Sequence, residues 1–382
     1  MTDFTQFERA EDAIPLCEPD ITEAEKQAVL EVLSRRWLAY GPECLAFEEE
    51  FCRLTGAEHA LALNSFTSAL QIALRVHNIG PGDEVILPSL VSTATAHTIL
   101  HTGATTVFAE IDPKTCCLDP IHAESLITPQ TRAVIAVHYA GHPASLDVLR
   151  RMASENGLAL IEDASHALGA SDQGTPIGGG SSIVCFSLGI GSNLSTGEGG
   201  MLTLPTRELR ERALRLSGDG SAEQDLDGWR NEVLEFGFSC RATDLAAALG
   251  RAQLARLPDM QKRRGKAWEF YNEMFGDDGR LILPPESPDT THARCLYVLR
   301  LSEESNARRD EVVSALREKG IGASAHCHPV HLHPAYRQRF GFREGMLPAS
   351  EAAAACLFSL PMHSRLTEQQ VNRISIEVLR LV

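Results

Sequence analysis

Over the first two-thirds of the chain, short apolar runs alternate with longer stretches whose apolar positions return every three or four residues. The short, β-branched runs Glu84–Pro88, Thr106–Glu110, Ala133–His138, Leu158–Glu162 and Ser182–Ser187 predict strands, and Ala60–Leu63 predicts another before them. The helix-period stretches Ser68–Val76, Ser145–Asn156 and Arg207–Leu216 fall between them. Strands separated by helices of this length read as βαβ units, hence an α/β fold with a mainly parallel sheet covered by helices on both faces. In such a sheet ligands gather at the carboxyl ends of the strands.

Past residue 256 the pattern changes. A basic cluster, Gln261-Lys262-Arg263-Arg264-Gly265-Lys266, is followed by a proline-rich stretch, Pro284–Pro288. A strand-like Cys295–Leu301, a helix Arg309–Lys319 and a final helix from about Thr367 come next. This divides the chain into an N-terminal arm with a large α/β domain, 1–255, and a small C-terminal α+β domain, 256–382. A long helix containing Leu245–Leu257 leads from one to the other. The basic cluster reads as a solvated helix face.

Composition narrows the function. The net charge of −16, from 35 Lys+Arg against 51 Asp+Glu, with no basic run beyond that one helix face, argues against nucleic acid and anionic membranes as partners. No apolar stretch approaches the roughly 18–20 residues that cross a bilayer. The opening Met1-Thr2-Asp3-Phe4-Thr5 lacks the basic and apolar regions of a signal peptide. Ten cysteines occur singly apart from Cys116-Cys117, with no C-x-x-C pair, which fits reduced thiols and a cytoplasmic protein.

Five segments carry candidate chemistry. Asn64-Ser65-Phe66-Thr67-Ser68 opens a helix after a strand; its hydroxyls and free N–H groups suit an anion, and equally an ordinary N-cap. Glu162-Asp163-Ala164-Ser165-His166 sets two acids and an imidazole at a strand's carboxyl end, where acid/base groups work and where an aspartate also caps. Ser187 begins a loop, through Ser192 to Gly200, rich in Gly and Ser and suited to close approach of a ligand. His326, His328, His331 and His333 crowd one segment; without a completing cysteine pair or acid they favour acid/base or substrate contacts, and no metal is expected. Arg241, after Gly237-Phe238-Ser239-Cys240, suits a carboxylate or phosphate, or a plain surface ion pair.

In order and spacing these segments resemble the DegT/StrS family of sugar aminotransferases. The landmarks are Trp37-Leu38-Ala39-Tyr40-Gly41-Pro42, Pro88-Ser89, Ala136-Val137-His138 with Gly141, Glu162-Asp163-Ala164, Gly197-Glu198-Gly199-Gly200, Thr243-Asp244 and Leu360-Pro361-Met362-His363. The resemblance spans nearly the whole chain and implies the fold-type-I aminotransferase scaffold, a pyridoxal phosphate site and a homodimer whose active sites draw on both subunits. It also implies that Thr67, Ser68, Asp163, Ser187 and Arg241 correspond to cofactor contacts.

Against that pattern several residues differ. Ser192 stands where the family's motif has the lysine that joins the cofactor's aldehyde, and a hydroxyl forms no imine. Phe66 replaces a glycine beside the phosphate turn, Ser92 offers no ring to stack on the pyridine, His166 replaces a glutamine, and Ser239 replaces the asparagine that reaches across the dimer. The leading expectation is therefore an enzyme that has dispensed with the cofactor. It would run acid/base chemistry on a small polar or sugar-like substrate through His166, Asp163, Ser192, His326, His328 and His331. The first alternative is non-covalent pyridoxamine phosphate or pyridoxal phosphate serving a keto-sugar dehydratase-like reaction, since family dehydratases work without the lysine. The second is a non-catalytic protein that binds a ligand or a partner.

Overall fold

The computed structural model describes residues 12–221 and 232–382, so the polar start at Met1–Thr5 lies outside the described residues. Its centre is a seven-stranded sheet built from β1 (His59–Leu63), β2 (Glu84–Pro88), β3 (Thr105–Ala109), β4 (Thr131–Val137), β5 (Ala159–Asp163), β8 (Ile183–Ser187) and β9 (Gly200–Leu204). The strand order is β1-β9-β8-β5-β4-β2-β3. All strands run parallel except β9, which is antiparallel to both β8 and β1. The minor strands β6 (Ser171–Asp172) and β7 (Thr175–Pro176) lie beside β11 (Thr290–Thr291) in a separate three-stranded ribbon.

Helices α1 (Glu23–Arg35), α2 (Pro42–Thr55), α3 (Phe66–Val76), α4 (Thr93–Thr102), α5 (Pro120–Ser125), α6 (Leu146–Glu155) and α7 (Arg207–Ser217) accompany the large sheet. The sheet is apolar on both faces, as parallel sheets are. Leu61, Val85, Leu87, Ile135 and Ile161 enter one core with Leu70 and Leu74 of α3, while Ile86, Val134 and Ala136 enter a second with Leu149 of α6.

The remaining helix long enough to organise two cores is α8 (Asp244–Phe275). Its first half packs Ala247, Leu254 and Leu257 among the large-sheet residues, whereas Ala267, Trp268, Tyr271 and Phe275 belong to a second body. That body is the antiparallel sheet of β10 (Leu281–Ile282), β12 (Tyr297–Leu301) and β13 (Leu357–Leu360), with α9 (Arg309–Glu318) and α12 (Glu368–Leu381). One continuous helix thus passes from the large-sheet core, which still holds Met260, to the second body, which it enters at Ala267. Short helices α10 (Pro334–Phe340) and α11 (Pro348–Cys356) come from this part of the chain but pack Tyr336 and Ala353 into the large-sheet cores.

The basic stretch of α8 is not a solvated face throughout. Arg264 is buried and donates to the carbonyl of Met362 at 2.7 Å, while Arg263 pairs with Asp20 at 2.8 Å. Long guanidinium stems bury readily when their N–H groups find carbonyl or carboxylate partners. No described helix is long and apolar enough to cross a membrane.

Candidate functional site

Neighbouring strands β4, β5 and β8 end side by side, which brings Val137, Asp163 and Ser187 to the rim of one cleft of about 450 Å³. Phe66, Ser92, Tyr139, Ser165 and His166 line the same wall. His326, Cys327, His328 and His333 close it from the C-terminal part of the chain. The strand-end rule therefore locates the cleft, and the long-range fold supplies its far side.

The two adjacent acids of β5 do different work because successive strand residues face opposite sides. Glu162 points into the protein, 3.1 Å from His138 Nε2 and 3.2 Å from an Arg150 guanidinium nitrogen. Burial alone would raise its pKa, but the His138 contact and the Arg150 charge outweigh that and leave it lowered. Asp163, 1% exposed, faces the cleft, and among the described residues no arginine or lysine pairs with it. Thr95 Oγ1 donates to Asp163 Oδ2 at 2.8 Å and the Ser165 amide to Oδ1 at 3.1 Å. Burial raises the Asp163 pKa, and these donors only partly oppose it. Such a carboxylate gains most from a positively charged N–H placed in the cleft.

Two imidazoles face each other here. The rings of His166 and His326 lie 6.3 Å apart, nearly perpendicular. Burial lowers both pKa values to about 4, so both rings are neutral near pH 7. His326 is held at two points: its Nδ1 lies 2.7 Å from Ser359 Oγ, and the Tyr139 hydroxyl donates to its carbonyl at 2.8 Å. His328 stands at the mouth, its ring 4.9 Å from that of His333.

The other sequence candidates do not all meet in the cleft. His331 is fully buried away from it, with Nδ1 2.7 Å from Ser89 Oγ and Nε2 3.0 Å from Glu351 Oε1. Both ring nitrogens are engaged in packing, which leaves nothing for a substrate. Ser192 is buried in the loop between β8 and β9, its amide bonded to the Gly189 carbonyl, and does not line the cleft. Ser68 behaves as part of a helix cap, its amide on Ser65 Oγ and its own hydroxyl on Asn64 Oδ1. Thr67 follows Phe66 in the first turn of α3, beside the cleft wall. Arg241 faces a second cavity of about 780 Å³, where it donates to the Leu214 carbonyl and lies over the Tyr40 ring. Among the described residues no three His, Cys, Asp or Glu side chains converge as metal ligands.

Thr95, Tyr139 and Ser359 are the residues that sequence reasoning missed. Each acts on another site residue through one hydroxyl, and nothing in the pattern around them separates that hydroxyl from an ordinary one. Their role becomes visible only when α4, the turn after β4 and β13 are brought together.

The model of the DegT/DnrJ/EryC1/StrS aminotransferase family matches residues 19–379. The spore coat polysaccharide biosynthesis protein SpsC of Bacillus subtilis is 40% identical over 375 residues, 96% of each chain. Among solved structures, DesV of S. venezuelae is 36% identical with a TM-score of 0.89, covering 96% of this chain and 98% of its own. Spr1654 of Streptococcus pneumoniae, assigned as a sugar aminotransferase, has a TM-score of 0.91 at 29% identity in its PMP form, covering 96% of this chain and 98% of its own. A PLP form of the same protein has also been solved, with a TM-score of 0.90.

These matches overturn the expectation of a cofactor-free site. A protein with this fold over almost its whole length is known in both PMP and PLP forms. The group that matters most to a pyridine ring, a buried carboxylate at the end of β5, is in place and short of a cationic partner.

Proposed function

The chain belongs to the DegT/DnrJ/EryC1/StrS aminotransferase family, and from that premise we propose that it is a biosynthetic enzyme holding pyridoxamine or pyridoxal phosphate in this cleft without a covalent bond. Its substrate in this reading is a keto-sugar or a comparable small polar carbonyl compound, and ordinary transamination through a lysine is not its route. The observation that carries the reading is the pairing of Asp163, poised for a protonated ring nitrogen, with a cleft that none of the chain's five lysines lines.

When bound, the cofactor supplies an amino group for a carbonyl carbon and an electron-withdrawing ring that makes the neighbouring C–H acidic. The protein's own part is positional and protolytic. Asp163, fixed by Thr95 and Ser165, would hold the proton at the pyridine nitrogen. Ser187 and the first turn of α3 stand where an anionic group meets hydroxyl and amide donors. His166 and His326, both neutral, serve as acceptor and donor for the proton that must move.

A homodimer is part of the same reading. Leu234, Phe236 and Phe238 are exposed beside the Arg241 cavity, Phe236 to 90%, and Trp37 of the neighbouring loop is exposed to 58%. Apolar side chains gathered this way favour cover by a second subunit. Arg241 would then serve a site shared between subunits.

Calorimetric titration with pyridoxamine phosphate tests the reading. The wild-type protein is expected to bind more tightly than about 10 μM, near −7 kcal/mol. Asp163→Asn is expected to bind at least about tenfold more weakly, the value of a charge-assisted hydrogen bond. Absence of binding at millimolar concentration would refute it.

A further inference from the structure

Ser359 sits on β13 and is fully buried. Its backbone is satisfied, the N–H donating to the Ser324 carbonyl at 2.7 Å and the carbonyl accepting from the Ser324 amide at 3.2 Å. Its hydroxyl has one partner, His326 Nδ1, at 2.7 Å. A buried hydroxyl hydrogen without an acceptor costs about 1–3 kcal/mol, whereas an unused lone pair on the same oxygen costs less. The Ser359 hydroxyl therefore donates, and Nδ1 accepts. In a neutral imidazole this leaves the ring proton on Nε2. Among the described residues that nitrogen has no partner, and it is not sealed away, since His326 lines the cleft.

His331 provides an internal check on this logic. Its Nε2 meets Glu351, whose carboxyl is kept ionised because bonds from the Gly345 amide and His331 outweigh its burial. A carboxylate only accepts, so His331 Nε2 carries a proton, and Ser89, 2.7 Å from Nδ1, takes the same place as Ser359. Two serine–histidine pairs thus have one arrangement, and one of them points into the cleft.

We propose that Ser359 is a positioning residue that locks His326 in the Nε2–H tautomer, making it a neutral, fixed hydrogen-bond donor to a carbonyl or hydroxyl oxygen of the molecule bound in the cleft. This deepens the reading of the cleft as the reaction site and rests on it for its meaning. The division of labour with His166 follows, because a ring locked as a donor cannot also be the base. His166, whose ring has no hydrogen bond among the described residues, is free to accept. A neutral donor polarises a carbonyl without placing a full charge beside Asp163 or a charged cofactor.

The test is long-range ¹H–¹⁵N correlation spectroscopy of the histidine-labelled full chain at pH 7, with His326 assigned by its loss in His326→Gln. A protonated Nε2 and an unprotonated Nδ1 are expected for the wild type. In Ser359→Ala the two nitrogens are expected to move toward the averaged shifts of a free imidazole, and Ser359→Thr, which keeps the hydroxyl, is expected to restore the wild-type pattern. A proton on Nδ1 in the wild type would overturn the proposal, as would unchanged His326 nitrogens in Ser359→Ala. These spectra need no cofactor. A failure of pyridoxamine phosphate to bind would therefore strike the functional reading alone, and a wrong tautomer would strike the positioning role alone.

Discussion

His326 and His331 lie five residues apart in one segment, and each has its Nδ1 2.7 Å from a serine hydroxyl. They differ at the other nitrogen. His331 Nε2 ends on Glu351 inside the protein, while His326 Nε2 opens onto the cleft that Asp163 also faces. The same local device is structural where a carboxylate closes it and available for chemistry where nothing does. A histidine-rich stretch is therefore not one site, and its residues are separated only by what the fold places at their second nitrogen.

The largest effect that sharpens this comparison is on stability. His331→Ala removes the ring partner of both the Ser89 hydroxyl and the Glu351 carboxylate and leaves a cavity, and is expected to lower stability by about 3 kcal/mol. Chemical denaturation measures that loss, while pyridoxamine phosphate affinity should stay within about twofold because the residue does not touch the cleft. Glu351→Gln, which keeps a hydrogen-bonding group at Nε2, is expected to cost less, about 1–2 kcal/mol by the same measurement.

His326→Gln should reverse the pattern. Stability is expected to change by less than about 1 kcal/mol, because the ring borders open space and a glutamine can still meet Ser359. Turnover of a keto-sugar with bound pyridoxamine phosphate is expected to fall at least about tenfold, in the range for loss of one general acid or base. A destabilised His326→Gln with normal turnover would erase the distinction between the two histidines.

A further effect is in the acid limb of stability. The folded-state values of His166 and His326 are depressed to about 4, against an unfolded value near 6.5. Between those limits the unfolded chain binds more protons, so these residues' contribution to stability is complete above about pH 6.5 and is lost as the pH falls through 4. Denaturation midpoints measured from pH 7 to pH 4 are expected to fall less steeply in His326→Gln than in the wild type.

The sequence was most legible where one element explains itself. The predicted strand Glu84–Pro88 is β2 residue for residue, and the helices at Ser145–Asn156 and Arg207–Leu216 fall within two residues of α6 and α7. Strand β9 went unseen because Gly200-Met201-Leu202 emerges directly from a glycine-rich loop and runs against its neighbours. At the cleft, Asp163 and His166 were legible from the strand-end rule, and Ser187 from the glycine-rich loop that it opens. His331 was not separable from His326, since the partners that divide them, Glu351 and Ser359, come from elements with no local mark. Residue 256 looked like a boundary because the composition of α8 changes there, although the helix runs through it.

A cofactor held here without a covalent bond leaves a direct signature in the mass of the protein. The full-length protein is saturated with pyridoxal phosphate, treated with borohydride, and weighed intact under denaturing conditions, with binding followed by calorimetry before reduction. The account predicts measurable binding and an unchanged mass, since none of Lys26, Lys114, Lys262, Lys266 or Lys319 lines the cleft. A mass increase of one reduced cofactor at a single lysine would contradict it, as would the absence of binding.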